Sequence, residues 1–136
     1  MGRFVNPDNT TFKAALNTKI YVDKTELIEF TNSLIGTTEN FICNSRPRRF
    51  GKSYTANMLS AYYSKGCDSR ELFCGLAVEK SSAYLEYLNK FDVIHFDLQW
   101  FFSKEHIDET VDLINNTIVD ELKKIYEDVL SCLLYT

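Results

Sequence analysis

The chain has 136 residues, of which 45% are hydrophobic and 25% charged, with ten Phe and eight Tyr. That is enough apolar surface for one domain with its own core, and it argues against disorder. A net charge of −4 excludes a chain that binds nucleic acid through its whole surface, although Arg46, Arg48, Arg49 and Lys52 fall within seven residues.

In chain order, Asn9 is expected to cap a short helix through about Leu16, and Tyr21-Val22 reads as a brief extended piece. Asp23 reads as the N-cap of a second helix, with Glu26 three residues on as its capping-box partner. Leu27, Ile28, Phe30 and Leu34 supply that helix's apolar side, and Gly36 fits its end. Residues 40–44, Asn-Phe-Ile-Cys-Asn, read as a short buried strand. A glycine-poor basic loop follows, then a helix over about residues 51–64 with Tyr54, Met58, Ala61 and Tyr62 on one face. Small helical pieces are expected across residues 69–89. Residues 92–98 read as a second strand, and a long amphipathic helix over about residues 104–130 carries Ile107, Val111, Ile114, Ile118, Leu122, Ile125 and Val129 as its core stripe. Strand, helix, strand, helix predicts an α/β domain with a parallel sheet flanked by helices. Only two strands are found, so the sheet reads as incomplete, with an open edge and a tendency to self-associate.

Chemistry is concentrated in Ser45-Arg46-Pro47-Arg48-Arg49-Phe50-Gly51-Lys52-Ser53. A phosphate-binding loop works because successive backbone N–H groups and the helix dipole face one anion. A Lys at the helix start then reaches the β- and γ-phosphates, and the following hydroxyl joins the Mg²⁺ shell. Gly51, Lys52 and Ser53 stand in that order, whereas the first glycine of the usual pattern is replaced by Arg46. The candidate contacts to ATP are Arg48, Arg49, Phe50, Gly51, Lys52, Ser53 and Tyr54. The candidate contacts to Mg²⁺ are Ser53 and, through water, Asp97 at the end of the second predicted strand. The same loop also reads as a basic turn with a helix-capping Ser. Asp97 equally reads as an ordinary polar strand end. His95 reads as a core or edge histidine, and Phe91 and Trp100-Phe101-Phe102 as packing groups in preference to a base-stacking platform.

The four cysteines, at 43, 67, 74 and 132, have no paired metal-ligand spacing, so a zinc site is not expected. No signal peptide or bilayer-spanning run is read, and reduced thiols in a cytoplasm are the simplest expectation.

Three segments carry a family resemblance: Tyr21-Val22-Asp23-Lys24-Thr25, the loop at 45–53, and Asp92-Val93-Ile94-His95-Phe96-Asp97. Together with the stretch from Ala61 to Phe73 they resemble the predicted AAA-ATPase-like family of bacteria and archaea, over the chain up to about residue 127. The resemblance implies a P-loop NTPase fold, with Lys52 and Ser53 as the Walker-A lysine and hydroxyl and Arg46 in a place where the family commonly replaces glycine. It also implies that residues 92–97 are not the Walker-B strand, that Walker-B and arginine-finger elements come later than the segments found here, and that relatives often end in a restriction-endonuclease-like nuclease domain. Residues 1–136 then read as the N-terminal portion of an ATPase domain that binds ATP and is deficient in hydrolysis by itself. The remainder of that domain, or another protein, is an expected partner. The alternatives are a non-enzymatic module binding an anion or nucleic acid through the basic loop, and an inactive fragment.

Overall fold

The computed structural model describes residues 2–45, 47, 49, 51–102 and 109–127. Among these, seven α-helices and one 3₁₀ turn follow one another along the chain. They are α1 (Thr10–Leu16), α2 (Glu26–Leu34), α3 (Lys52–Tyr63), α4 (Arg70–Phe73), the 3₁₀ turn Ala77–Lys80, α5 (Tyr84–Tyr87), α6 (Leu98–Phe102) and α7 (Thr110–Ile125).

The predicted parallel sheet is corrected by this architecture. Among the described residues there is no regular strand, only two isolated bridges: Val5 with Ile94, antiparallel, and Ser64 with Phe91, parallel. A strand needs a neighbour for its backbone N–H and C=O groups. Residues 40–45 run without regular structure, and Phe41 is 95% exposed where a buried strand was expected. Residues 92–97 do pair, but with the N-terminal segment and only locally. Asn6 N–H donates to Val93 O (2.7 Å) and His95 N–H to Phe4 O (2.8 Å). Val93 N–H then donates to the side-chain Oδ1 of Asn6 (2.8 Å) in place of a backbone carbonyl. Asn6 itself sits at φ 49°, which turns the chain away and ends the ladder. The open strand edge expected from the sequence is therefore not a feature of the described residues.

The core is helical. Phe12, Ile28, Met58, Ala61, Tyr62, Phe73, Val78, Tyr84 and Leu88 form one buried cluster around α3. Its rings interlock: Phe12 stacks on Phe73 at 4.9 Å, and Tyr62 meets Phe73 edge-on at 5.4 Å. On α3, Met58, Ala61 and Tyr62 face inward as the periodicity predicts, whereas Tyr54 is 57% exposed. On α2 the buried face is Ile28, Thr31 and Asn32, and Phe30, predicted apolar-side, lies exposed. Thr31 and Asn32 are tolerated there because α3 answers them. Tyr63 Oη donates to Asn32 Oδ1 (2.6 Å), Thr31 Oγ1 is 2.6 Å from Tyr63 Oη, and Asn32 Nδ2 donates to Tyr62 Oη (3.2 Å). Burial, opposed in part by the Thr31 hydrogen bond, pushes the Tyr63 hydroxyl up to about 12.

Three small helical pieces occupy the region 69–89, as predicted. The last helix is described over Thr110–Ile125, and Ile107 and Val129 of its predicted stripe lie outside the described residues. Ile114, Ile118, Leu122 and Ile125 are half-buried, while Val111 is 65% exposed. On the same face Glu121 accepts three backbone N–H groups of the N-terminal segment, from Arg3 (3.1 Å), Phe4 (2.8 Å) and Val5 (2.9 Å). No described helix is long and apolar enough to cross a membrane.

Candidate nucleotide-binding site

The site is built at the N-terminal end of α3. Lys52 is the first residue of that helix, and Gly51 precedes it as N-cap in the left-handed region at φ 77°. A side chain costs more at that φ, so the backbone itself favours glycine there. Arg49 is also at positive φ (70°). The first turn is closed by Thr55, whose N–H and hydroxyl both donate to Gly51 O (2.9 and 3.1 Å). The N-terminus of a twelve-residue helix thus lies at this turn, and the helix dipole there favours an anion.

A cavity of about 1140 Å³ opens beside this turn. Lys24, Arg49, Gly51, Lys52, Ser53 and Tyr54 form its polar and cationic side. Phe12, Ile20, Tyr21, Val22 and Met58 form an apolar side. Among its described lining residues there are three cations and no carboxylate. Burial, reinforced by the nearby Asp23 carboxylate, pushes the Tyr21 hydroxyl up. A second groove of about 790 Å³ also reaches Lys52 and Ser53, and Asp8, His95 and Asp97 line it with them. Asp97 Oδ1 accepts the Gln99 N–H (2.8 Å) at the start of α6, so this carboxylate also closes a local turn. Burial holds the His95 imidazole below its ordinary range, with Asp97 pulling the other way.

Of the candidate residues, Arg49, Gly51, Lys52, Ser53 and Tyr54 therefore share one cavity, and Asp97 shares the adjoining groove with Lys52 and Ser53. Arg48 and Phe50, with Arg46, lie outside the described residues. Among the described residues no group of three or more His, Cys, Asp or Glu stands where it would hold a metal ion. Trp100 and Phe101 pack on Phe4 at 5.5 Å each, and Phe91 packs against Tyr63 and Tyr87, as packing groups should.

Sequence reading assigned no role to Lys24. Its ammonium lies beside the loop: a Cβ added to Gly51 would stand 2.9 Å from Lys24 Nζ. The available signal is its setting in Tyr21–Thr25, a segment in which Asp23 and Thr25 anchor the backbone. The expectation that Asp23 caps α2 is corrected: Thr25 holds the N-cap position without a side-chain cap bond. Asp23 Oδ1 instead accepts Thr25 N–H (2.8 Å) and the Thr25 hydroxyl (2.7 Å), and its Oδ2 accepts Ala77 N–H (2.8 Å). Burial pushes the Asp23 carboxyl up, but these hydrogen bonds outweigh it and hold the group below its ordinary value.

A cationic turn at a helix N-terminus with an apolar chamber beside it is a place where an anionic ligand with an apolar part can be held. A family model described as "Predicted AAA-ATPase" matches residues 11–132, and the chain belongs to that family. No curated protein and no solved structure matches the chain.

Proposed function

We propose that this chain binds ATP with Mg²⁺ at the α3 turn. The single observation carrying this reading is Gly51 at positive φ, setting Lys52 and Ser53 at the head of α3 in a cavity whose described wall has cations and no carboxylate. The residues present fit the group. The backbone is bare at Gly51, where a Cβ would crowd an ammonium, and the chamber is large enough for a nucleotide. Lys52 and Arg49 would hold phosphate oxygens, Ser53 would join the Mg²⁺ shell, and Phe12, Tyr21 and Met58 would face the base and ribose. Bound Mg²⁺ would neutralise phosphate charge; the chain's own residues bind and orient.

Titration with a fluorescent ATP analogue, with and without Mg²⁺, tests this. Mg²⁺ should strengthen binding to the wild-type chain, and Ser53→Ala should abolish that difference. Binding indifferent to Mg²⁺ in both proteins would leave the anion- or nucleic-acid-binding module as the better reading.

Turnover by the 136 residues alone is expected to be slow. Hydrolysis needs acidic and cationic groups arranged around the attacking water and the leaving phosphate. Asp8 and Asp97 are the carboxylates that share a groove with Lys52 and Ser53 among the described residues, and Asp97 is the one the sequence offers for Mg²⁺. Sustained phosphate release that disappears in Lys52→Ala protein would overturn this part of the reading.

A further inference from the structure

We infer that Lys24 is a second phosphate-binding cation, held over the loop from the turn before α2, and that it makes the site selective for polyphosphates over monophosphates. The inference rests on the nucleotide reading above and adds a residue and a ligand class to it.

The first observation is position. Lys24 lies on a separate segment from the loop, yet Nζ stands 2.9 Å from where a Gly51 Cβ would be, and Lys24, Arg49 and Lys52 line one cavity. Gathering three cations around one chamber raises their mutual repulsion, and a ligand carrying several negative charges offsets it better than one carrying few.

The second observation is how firmly the segment is held. Both neighbours of Lys24 are bound into the fold. Asp23 accepts from Thr25 and from Ala77 N–H, and the fully buried Thr25 accepts Val78 N–H at its hydroxyl (3.1 Å). Lys24 O accepts Leu27 N–H (3.1 Å) in the first turn of α2. The backbone under the lysine is thus fixed to the 3₁₀ turn at 77–80 before any ligand arrives, which lowers the ordering cost of using its ammonium. The segment Tyr21–Thr25 then has one purpose on both sides. Tyr21 walls the apolar chamber, Lys24 meets phosphate, and Asp23 and Thr25 anchor both.

Calorimetric titration of ATP, ADP and AMP into wild-type, Lys24→Gln, Lys24→Arg and Lys52→Ala proteins decides the matter. Lys24→Gln is expected to weaken ATP about tenfold or more, the scale of one charge-assisted hydrogen bond, and AMP less than about twofold. Lys24→Arg should recover most of the ATP affinity. Wild-type ATP affinity in Lys24→Gln, while Lys52→Ala binds weakly, would overturn the Lys24 inference alone. Equal losses for ATP and AMP would also overturn it, since a disturbed fold or base chamber acts on both. Wild-type protein that binds none of the three nucleotides would instead bring down the nucleotide reading, and this inference with it.

Discussion

The two ends of α3 are finished in opposite ways. At the C-terminal end, protein groups answer the last carbonyls. Asn89, at φ 55°, donates through Nδ2 to Ala61 O (3.0 Å) and Ser64 O (2.7 Å) and accepts Ser69 N–H at Oδ1 (2.9 Å). Its own N–H donates to Tyr62 O (2.7 Å), and Ser64 and Ser69 around it are fully buried. At the N-terminal end the cap position is taken by Gly51, which has no side chain to offer, and the surrounding wall is cationic and opens to a cavity. One end is closed by side chains of a distant segment; the other carries a glycine cap beside a cationic cavity wall. The contrast separates polar residues that hold the structure from those suited to bind a ligand.

The largest expected effect comes from breaking the finished end. Asn89→Ala removes the side-chain hydrogen bonds to Ala61 O, Ser64 O, Cys67 Sγ and from Ser69 N–H, and puts alanine, which tolerates positive φ less well than asparagine, at that position. A loss of about 2–4 kcal/mol is expected in urea unfolding, with ATP-analogue affinity unchanged for the fraction that remains folded. Affinity lost in parallel with stability would mean the two ends are not separable.

A smaller effect concerns the junction beyond that end. Asp92 accepts from Lys65 Nζ (2.7 Å), from the Tyr126 hydroxyl and from Asn6 Nδ2 (2.8 Å). The Lys65 ammonium, then Tyr126 and Asn6, hold the Asp92 carboxyl down to about 2. The folded value lies below the unfolded one, near 4, so the unfolded state takes up the proton first as pH falls. The stabilisation is complete above about pH 4 and is lost progressively towards pH 2. Asp92 is 56% exposed and solvent screens it, so the effect is modest. Asp92→Asn should flatten the stability profile between those pH values and leave nucleotide binding unchanged at neutral pH. An unaltered acid limb in that variant would contradict the assignment.

How much of this was readable beforehand depends on the type of signal. Gly51-Lys52-Ser53 at a helix start could be read because its requirements are local: a residue that tolerates positive φ, then a cation and a hydroxyl. The helix α1 could be read from Asn9 at its start, and α3 and α7 from apolar spacing. The sheet was misread because short apolar runs such as 40–44 and 92–98 look the same whether they pair, pack or lie exposed. Only the neighbouring segment decides, and for 92–97 that neighbour is residues 4–6, where Asn6 bends away. Lys24 and Asn89 were invisible for a related reason. Lys24 stands beside Gly51, and Asn89 bonds to Ala61 and Ser64, across stretches of chain that no spacing rule connects.

The central claim is that the open end of α3 is a nucleotide site whose first charge is Lys52. Affinity for a fluorescent ATP analogue in the presence of Mg²⁺, measured for wild-type and Lys52→Ala proteins of equal thermal stability, tests it most directly. The account predicts a weakening of about 1.5–3 kcal/mol, the scale of a hydrogen bond to a charged group, or roughly 10- to 150-fold. Equal affinities in the two proteins would contradict it.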